Sequence, residues 1–84
     1  MKVQVRYFAS IREALGAGEL IEVSPGSTVS RVREQLIMSS AAHATALARG
    51  KPLRCALNQV LCDESAVFTE EDTELAFFPP VTGG

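Results

Sequence analysis

Eighty-four residues, 46% hydrophobic and 21% charged, describe one small globular domain with a thin core and argue against a disordered chain. A single histidine (His43), two cysteines (Cys55 and Cys62) and no tryptophan exclude a structural zinc cluster, and they make a self-contained hydrolase a poor expectation. The net charge of −2 hides an asymmetry that excludes a basic stripe for nucleic acid: residues 1–62 hold all 8 basic residues, whereas Asp63, Glu64, Glu70, Glu71, Asp72 and Glu74 follow with no base.

Lys2 to Ala9 alternates, with Val3, Val5 and Tyr7 on one face and Lys2, Gln4, Arg6 and Phe8 on the other, which predicts a strand. Ser10-x-x-Glu13 has the spacing of a capping box for a short helix that Gly16 stops. Leu20 to Val23 is a second strand and the hairpin partner of the first, followed by a Ser24-Pro25-Gly26-Ser27 loop. Thr28 is the expected N-cap of the main helix. Val29, Val32, Leu36 and Ile37 fall on its inner side, with Arg31, Arg33, Glu34 and Gln35 toward water. Ala41 to Arg49 reads as a second helical stretch closed by Gly50. Leu53, Cys55 and Leu57 alternate as a third strand, Asn58-Gln59 makes its turn, and Val60 to Cys62 is a short fourth. Thr73 to Phe78 is the last strand.

This order predicts an α+β domain: a mixed sheet of about five strands with helices packed on one face. With the first and last strands central and parallel, it is a ubiquitin-like β-grasp. No apolar run approaches the ~20 residues of a membrane span, and MKVQVRYFAS lacks a signal-peptide block, so the expected compartment is the cytoplasm with no membrane or nucleic-acid partner.

Among single residues, His43 is expected to be an exposed helical histidine. Cys55 and Cys62 are expected to face each other as reduced thiols, because a redox pair favours the closer Cys-x-x-Cys spacing. Phe8, Leu61 and Phe78 point away from the helices and form a candidate partner-binding patch. The acidic stretch reads either as a solvated loop or as a surface steered toward basic partners.

The end of the chain, Phe77-Phe78-Pro79-Pro80-Val81-Thr82-Gly83-Gly84, divides the molecule into a domain over residues 1–78 and an extended, flexible tail over 79–84. Proline lacks the N–H that a ladder needs, and paired prolines favour a rod, so the tail is expected to reach about 20 Å beyond the domain. Gly83 and Gly84 have no Cβ and suit a slot too narrow for other side chains. An enzyme acting on the α-carboxylate would need such a probe.

Phe8-Ala9-x-x-Arg12-Glu13, Asn58-Gln59 and the run from Glu74 to Gly84 resemble the MoaD/ThiS family of sulfur carriers, in its molybdopterin-synthase small-subunit branch. The resemblance implies a chain that is not an enzyme on its own and holds no permanent cofactor. Its Gly84 carboxylate would be adenylated by an E1-like activating enzyme that uses ATP. A sulfur donor, such as a persulfide-carrying protein, would then convert the acyl-adenylate to a thiocarboxylate. The tail (Pro79, Pro80, Val81, Thr82 and Gly83) would enter the large subunit of a heterotetrameric synthase. There the sulfur passes to cyclic pyranopterin monophosphate in molybdenum cofactor biosynthesis. Alternatives are a carrier for thiamine thiazole synthesis, or a non-carrier β-grasp interaction domain or ubiquitin-like modifier.

Overall fold

The computed structural model describes residues 1–80 of the chain. Its elements run β1 (Lys2–Tyr7), α1 (Ala9–Leu15), β2 (Gly18–Glu22), α2 (Val29–Ile37), α3 (Ala41–Ala46), β3 (Arg54–Leu57), β4 (Val60–Cys62) and β5 (Glu74–Phe78). The five strands form one sheet in the order β2-β1-β5-β3-β4. β1 and β5 are parallel, and the other pairs are antiparallel. This is the expected β-grasp, with the first and last strands side by side at its centre.

Period-two burial along β1 sends Val3, Val5 and Tyr7 into the core, where Leu75 and Phe77 of β5 meet them. Val29, Val32 and Leu36 of α2 and Ile11 of α1 close the same face, so one side of the sheet carries the hydrophobic core. Phe68 completes it from the connection between β4 and β5. That connection is stitched to the start of α2 by Val29 N–H to Ala66 O (3.0 Å), Ser30 N–H to Glu64 O (2.9 Å) and Phe68 N–H to Ser27 O (2.8 Å).

The helix starts differ from one another. Thr28 caps α2 as its residue type predicts, its Oγ1 accepting from Arg31 N–H at 3.1 Å. At α1 the capping box is not made. Phe8 is the N-cap, still extended at φ −128° and ψ 157°, and no side chain caps the helix. Phe8 stays extended because its N–H donates to Phe77 O at 3.2 Å, prolonging the central ladder. The chain then turns sharply at Ala9, whose φ is 53°, and Ser10 falls inside the helix.

Arg33 also departs from the sequence reading. Expected to face water, it is 2% exposed. Its Nε donates to Leu47 O at 2.8 Å, and its remaining nitrogens reach Ala48 O, Lys51 O and Glu64. This one side chain explains why α3 ends at Ala46 and not near Arg49. The carbonyls that follow are turned toward a guanidinium whose fork matches them better than another helical turn would.

Candidate functional site

β5 delivers the last described residues to one end of the sheet. Phe77 is buried on the core side and Phe78 half-buried on the other, after which Pro79 and Pro80 stop the ladder because neither carries an N–H. Both prolines line an apolar groove of about 550 Å³ whose walls are Ile11 and Ala14 of α1 and Ala42 and Ala46 of α3. The chain therefore leaves the domain between two helices and the end of its central strand pair.

The candidate patch lies on the helix-free face. The Tyr7–Phe77 register puts Phe8 opposite Phe78 at the same end from which the prolines depart, and Phe8 is 44% exposed. Leu61, 57% exposed, pairs with Ala56, and Ala56 pairs with Ala76, so two small residues link it to the aromatic pair. The Arg6–Glu74 ion pair (3.0 Å) stands on this face between β1 and β5. Sequence reasoning found the three large residues and put Ala76 on the face of Phe78, but did not join them through the buried alanines. The signal was present, since Ala56 and Ala76 share the period-two phase of Leu61 and Phe78, but small residues do not announce a surface.

His43 is not a free helical histidine. The Ser40 hydroxyl accepts from the His43 backbone N–H (3.1 Å) as N-cap of α3 and lies 2.6 Å from His43 Nδ1. His43 Nε2 lies 2.6 Å from Glu19 Oε2, and because a carboxylate oxygen only accepts, this ring nitrogen carries a hydrogen and donates it. The Tyr7 hydroxyl donates to the same carboxylate at 2.8 Å, and the Tyr7 and His43 rings meet edge to face at 6.4 Å. Burial acts to push the Glu19 carboxyl up, but the hydrogen bonds from His43 and Tyr7 outweigh it and hold the group below its ordinary value. Burial first, and then Glu19, push the Tyr7 hydroxyl far up. The Tyr7 hydroxyl, both His43 ring nitrogens and Glu19 Oε2 are engaged, so the line fastens α3 and β1 to β2. The residues that meet are distant in sequence, which is why spacing could not reveal them.

Cys55 and Cys62 face each other across β3 and β4 as free thiols, as expected. Among the described residues no group of three or more His, Cys, Asp or Glu side chains is arranged to hold a metal ion, and no helix is long and apolar enough to cross a membrane. The remaining site residues of the sequence reading, Val81, Thr82, Gly83 and Gly84, lie outside the described residues.

The family model described as ThiS matches residues 5–84. A molybdopterin synthase sulfur carrier subunit from Escherichia coli (strain K12) is 39% identical over 82 residues, covering 98% of this chain and 99% of that protein. SAMP1 from Haloferax volcanii superposes with a TM-score of 0.75 at 24% identity over 100% of both chains, a likeness of fold. A chain from the Helicobacter pylori 26695 complex of subunits 1 and 2 of molybdopterin-converting factor matches with a TM-score of 0.67 and 26% identity, again over 100% of both.

Proposed function

The chain belongs to the ThiS family of MoaD/ThiS-type sulfur carriers, and from that premise we propose that it carries sulfur on the carboxylate of Gly84 for molybdopterin synthesis. The observation that carries the reading is the placement of Phe78-Pro79-Pro80. The central strand pair ends there, the two prolines prevent further pairing, and the Val81-Thr82-Gly83-Gly84 sequence follows.

In this reading an activating enzyme transfers AMP from ATP to the Gly84 carboxylate, turning a poor leaving oxygen into a good one. The persulfide of a sulfur-donor protein then attacks the acyl carbon and displaces AMP, giving an acyl disulfide. A donor thiol breaks its S–S bond to release the thiocarboxylate, while the donor sulfurs leave as a disulfide. Gly83 and Gly84 lack Cβ atoms and admit the acyl carbon to a narrow channel. The large synthase subunit receives the tail, with Pro79, Pro80, Val81 and Thr82 spanning its entrance, and passes the sulfur to cyclic pyranopterin monophosphate. Support for that partner is the likeness to a chain whose solved structure is a complex of subunits 1 and 2. The domain over residues 1–78 then serves as a handle. Phe8, Leu61 and Phe78 provide its docking surface, and the chemistry belongs to the partners. ATP-dependent activation puts this work in the cytoplasm.

The test is intact mass after co-expression with the activating enzyme. The expected result is a mass gain of one oxygen-to-sulfur exchange that disappears when Gly84 is deleted. Attachment of the chain to lysines, or absence of both acyl-adenylate and thiocarboxylate, overturns the reading.

A further inference from the structure

We propose that Cys55 and Cys62 are a redox modification site, closing to a reversible intramolecular disulfide when a hydroperoxide is the oxidant. The residues stand directly opposite each other on β3 and β4, their Sγ atoms are 3.7 Å apart, and the Cys55 thiol points at Cys62 O from 3.4 Å.

The hairpin supplies the backbone geometry. Asn58 and Gln59 have φ of 48° and 67°, the conformation of a two-residue type I′ turn closed by the Leu57–Val60 pair. Antiparallel pairs alternate in kind, so Cys55–Cys62, two steps along, is of the same hydrogen-bonded kind as the closing pair. Its Cα atoms are about 5.5 Å apart, which is the usual separation for a disulfide. Bond formation requires the sulfurs to approach to about 2.05 Å. Movement of β4 meets little resistance, because β4 is a three-residue strand at the sheet edge.

The two thiols differ in a way that assigns their roles. Cys55 is buried, and burial together with the Cys62 thiol pushes its pKa up to about 12. Both cysteines border one surface depression, lined also by Leu61, Asp63 and Glu64, but Cys62 is half-buried where Cys55 is 2% exposed. Cys62 therefore meets the oxidant. Its thiolate attacks one peroxide oxygen, forming S–O and breaking O–O, and the departing oxygen takes a proton to leave as water or an alcohol. Cys55 sulfur then attacks Cys62 sulfur. S–S forms, S–O breaks, and water leaves with the Cys55 proton. Two thiols lose two electrons in total to one hydroperoxide. The bond closes the hairpin on the strand whose other neighbour is Phe77, next to the root of the tail. This inference does not rest on the sulfur-carrier reading.

The whole chain is treated with equimolar hydrogen peroxide, trapped with N-ethylmaleimide and weighed intact. The expected product is a monomer lighter by two hydrogens that takes up no maleimide and yields a Cys55–Cys62 linked peptide. Dithiothreitol should restore both thiols, and the oxidised form should melt higher by on the order of 10 °C. Cys55→Ser should leave Cys62 as a sulfenic acid or an intermolecular disulfide, and Cys62→Ser should leave Cys55 largely unoxidised. If the wild-type chain keeps two alkylatable thiols, accumulates sulfinic acid or forms only disulfide-linked dimers, the proposal is wrong.

Discussion

Arg33 and Glu64 meet at 2.6 Å between α2 and the segment after β4, the arginine side chain 3% exposed and the carboxylate 27%. The pair also gathers Arg49, whose Nη1 reaches the other Glu64 oxygen at 2.6 Å. Two segments with no regular structure, 47–51 and 63–66, are thereby tied to one helix.

Removing the guanidinium leaves the carbonyls of Leu47, Ala48 and Lys51 without this donor and a half-buried carboxylate without its main partner. Arg33→Leu is expected to lower stability by about 3 kcal/mol. Arg33→Lys should be almost as costly, because an ammonium cannot reproduce a planar fork. Urea unfolding followed by circular dichroism checks both, and a loss confined to a few tenths of a kcal/mol would remove Arg33 from this role.

The proposed partner patch should separate affinity from stability. Phe8 and Leu61 are exposed, so Phe8→Ala and Leu61→Ala should leave the melting temperature within a few degrees of wild type. Each should weaken binding to the large synthase subunit by about tenfold or more. Phe78→Ala, at a half-buried position, should do the same with a somewhat larger cost to folding. Calorimetric titration against the large subunit, paired with thermal melts, distinguishes a docking surface from core packing.

Stability should fall toward both ends of the pH scale, for opposite reasons. Glu19 has a folded pKa below its ordinary 4.5, so its contribution is present above the unfolded value and is lost as pH drops through the folded one. Tyr7 has a folded pKa raised above its ordinary 10.0, so its contribution is complete below the unfolded value and is lost as pH rises past it. Glu19→Gln should flatten the acid limb of the urea midpoint plotted against pH, and Tyr7→Phe the alkaline limb. Unchanged limbs would show that the Tyr7–Glu19–His43 line does not govern them.

Gly18 begins β2 opposite Arg6 of β1. A Cβ built there would lie 2.2 Å from the Val5 carbonyl oxygen, in backbone that cannot rotate away. Gly18→Ala is expected to cost about 2 kcal/mol by forcing the two strands apart. Gly50, with nothing near its Cβ position, is the matched control and should tolerate alanine.

What could be read from the chain was whatever repeats locally. Alternation located β1, the α2 stripe identified Val29, Val32 and Leu36, and Asn58-Gln59 marked the turn between β3 and β4. The opposite faces of Phe77 and Phe78 followed from the same period. Contacts made across many residues were not legible. Arg33 looks like a surface residue until residues 47–51 and Glu64 converge on it, and His43 looks isolated until β2 brings Glu19 alongside. Phe68 carries no periodic neighbours, so its burial depends on the bridge between Thr28 and Val67. Of the candidate site, the patch and the root of the tail emerged from pattern, whereas the groove beside Pro79 and Pro80 required the packing of α1 against α3.

The position of β5 also bears on how the molecule is made. Among the described residues it is the last strand to be synthesised, yet it fills the middle of the sheet, joining β2-β1 to β3-β4. Without it the two hairpins have no common edge, and isolated hairpins are marginal in water. Completion of the sheet thus waits for the segment that immediately precedes the prolines, and its closure is a long-range event of the slow kind. A prematurely terminated chain lacks both the central strand and whatever follows it. A completed sheet is in this way a record that translation has passed Phe78.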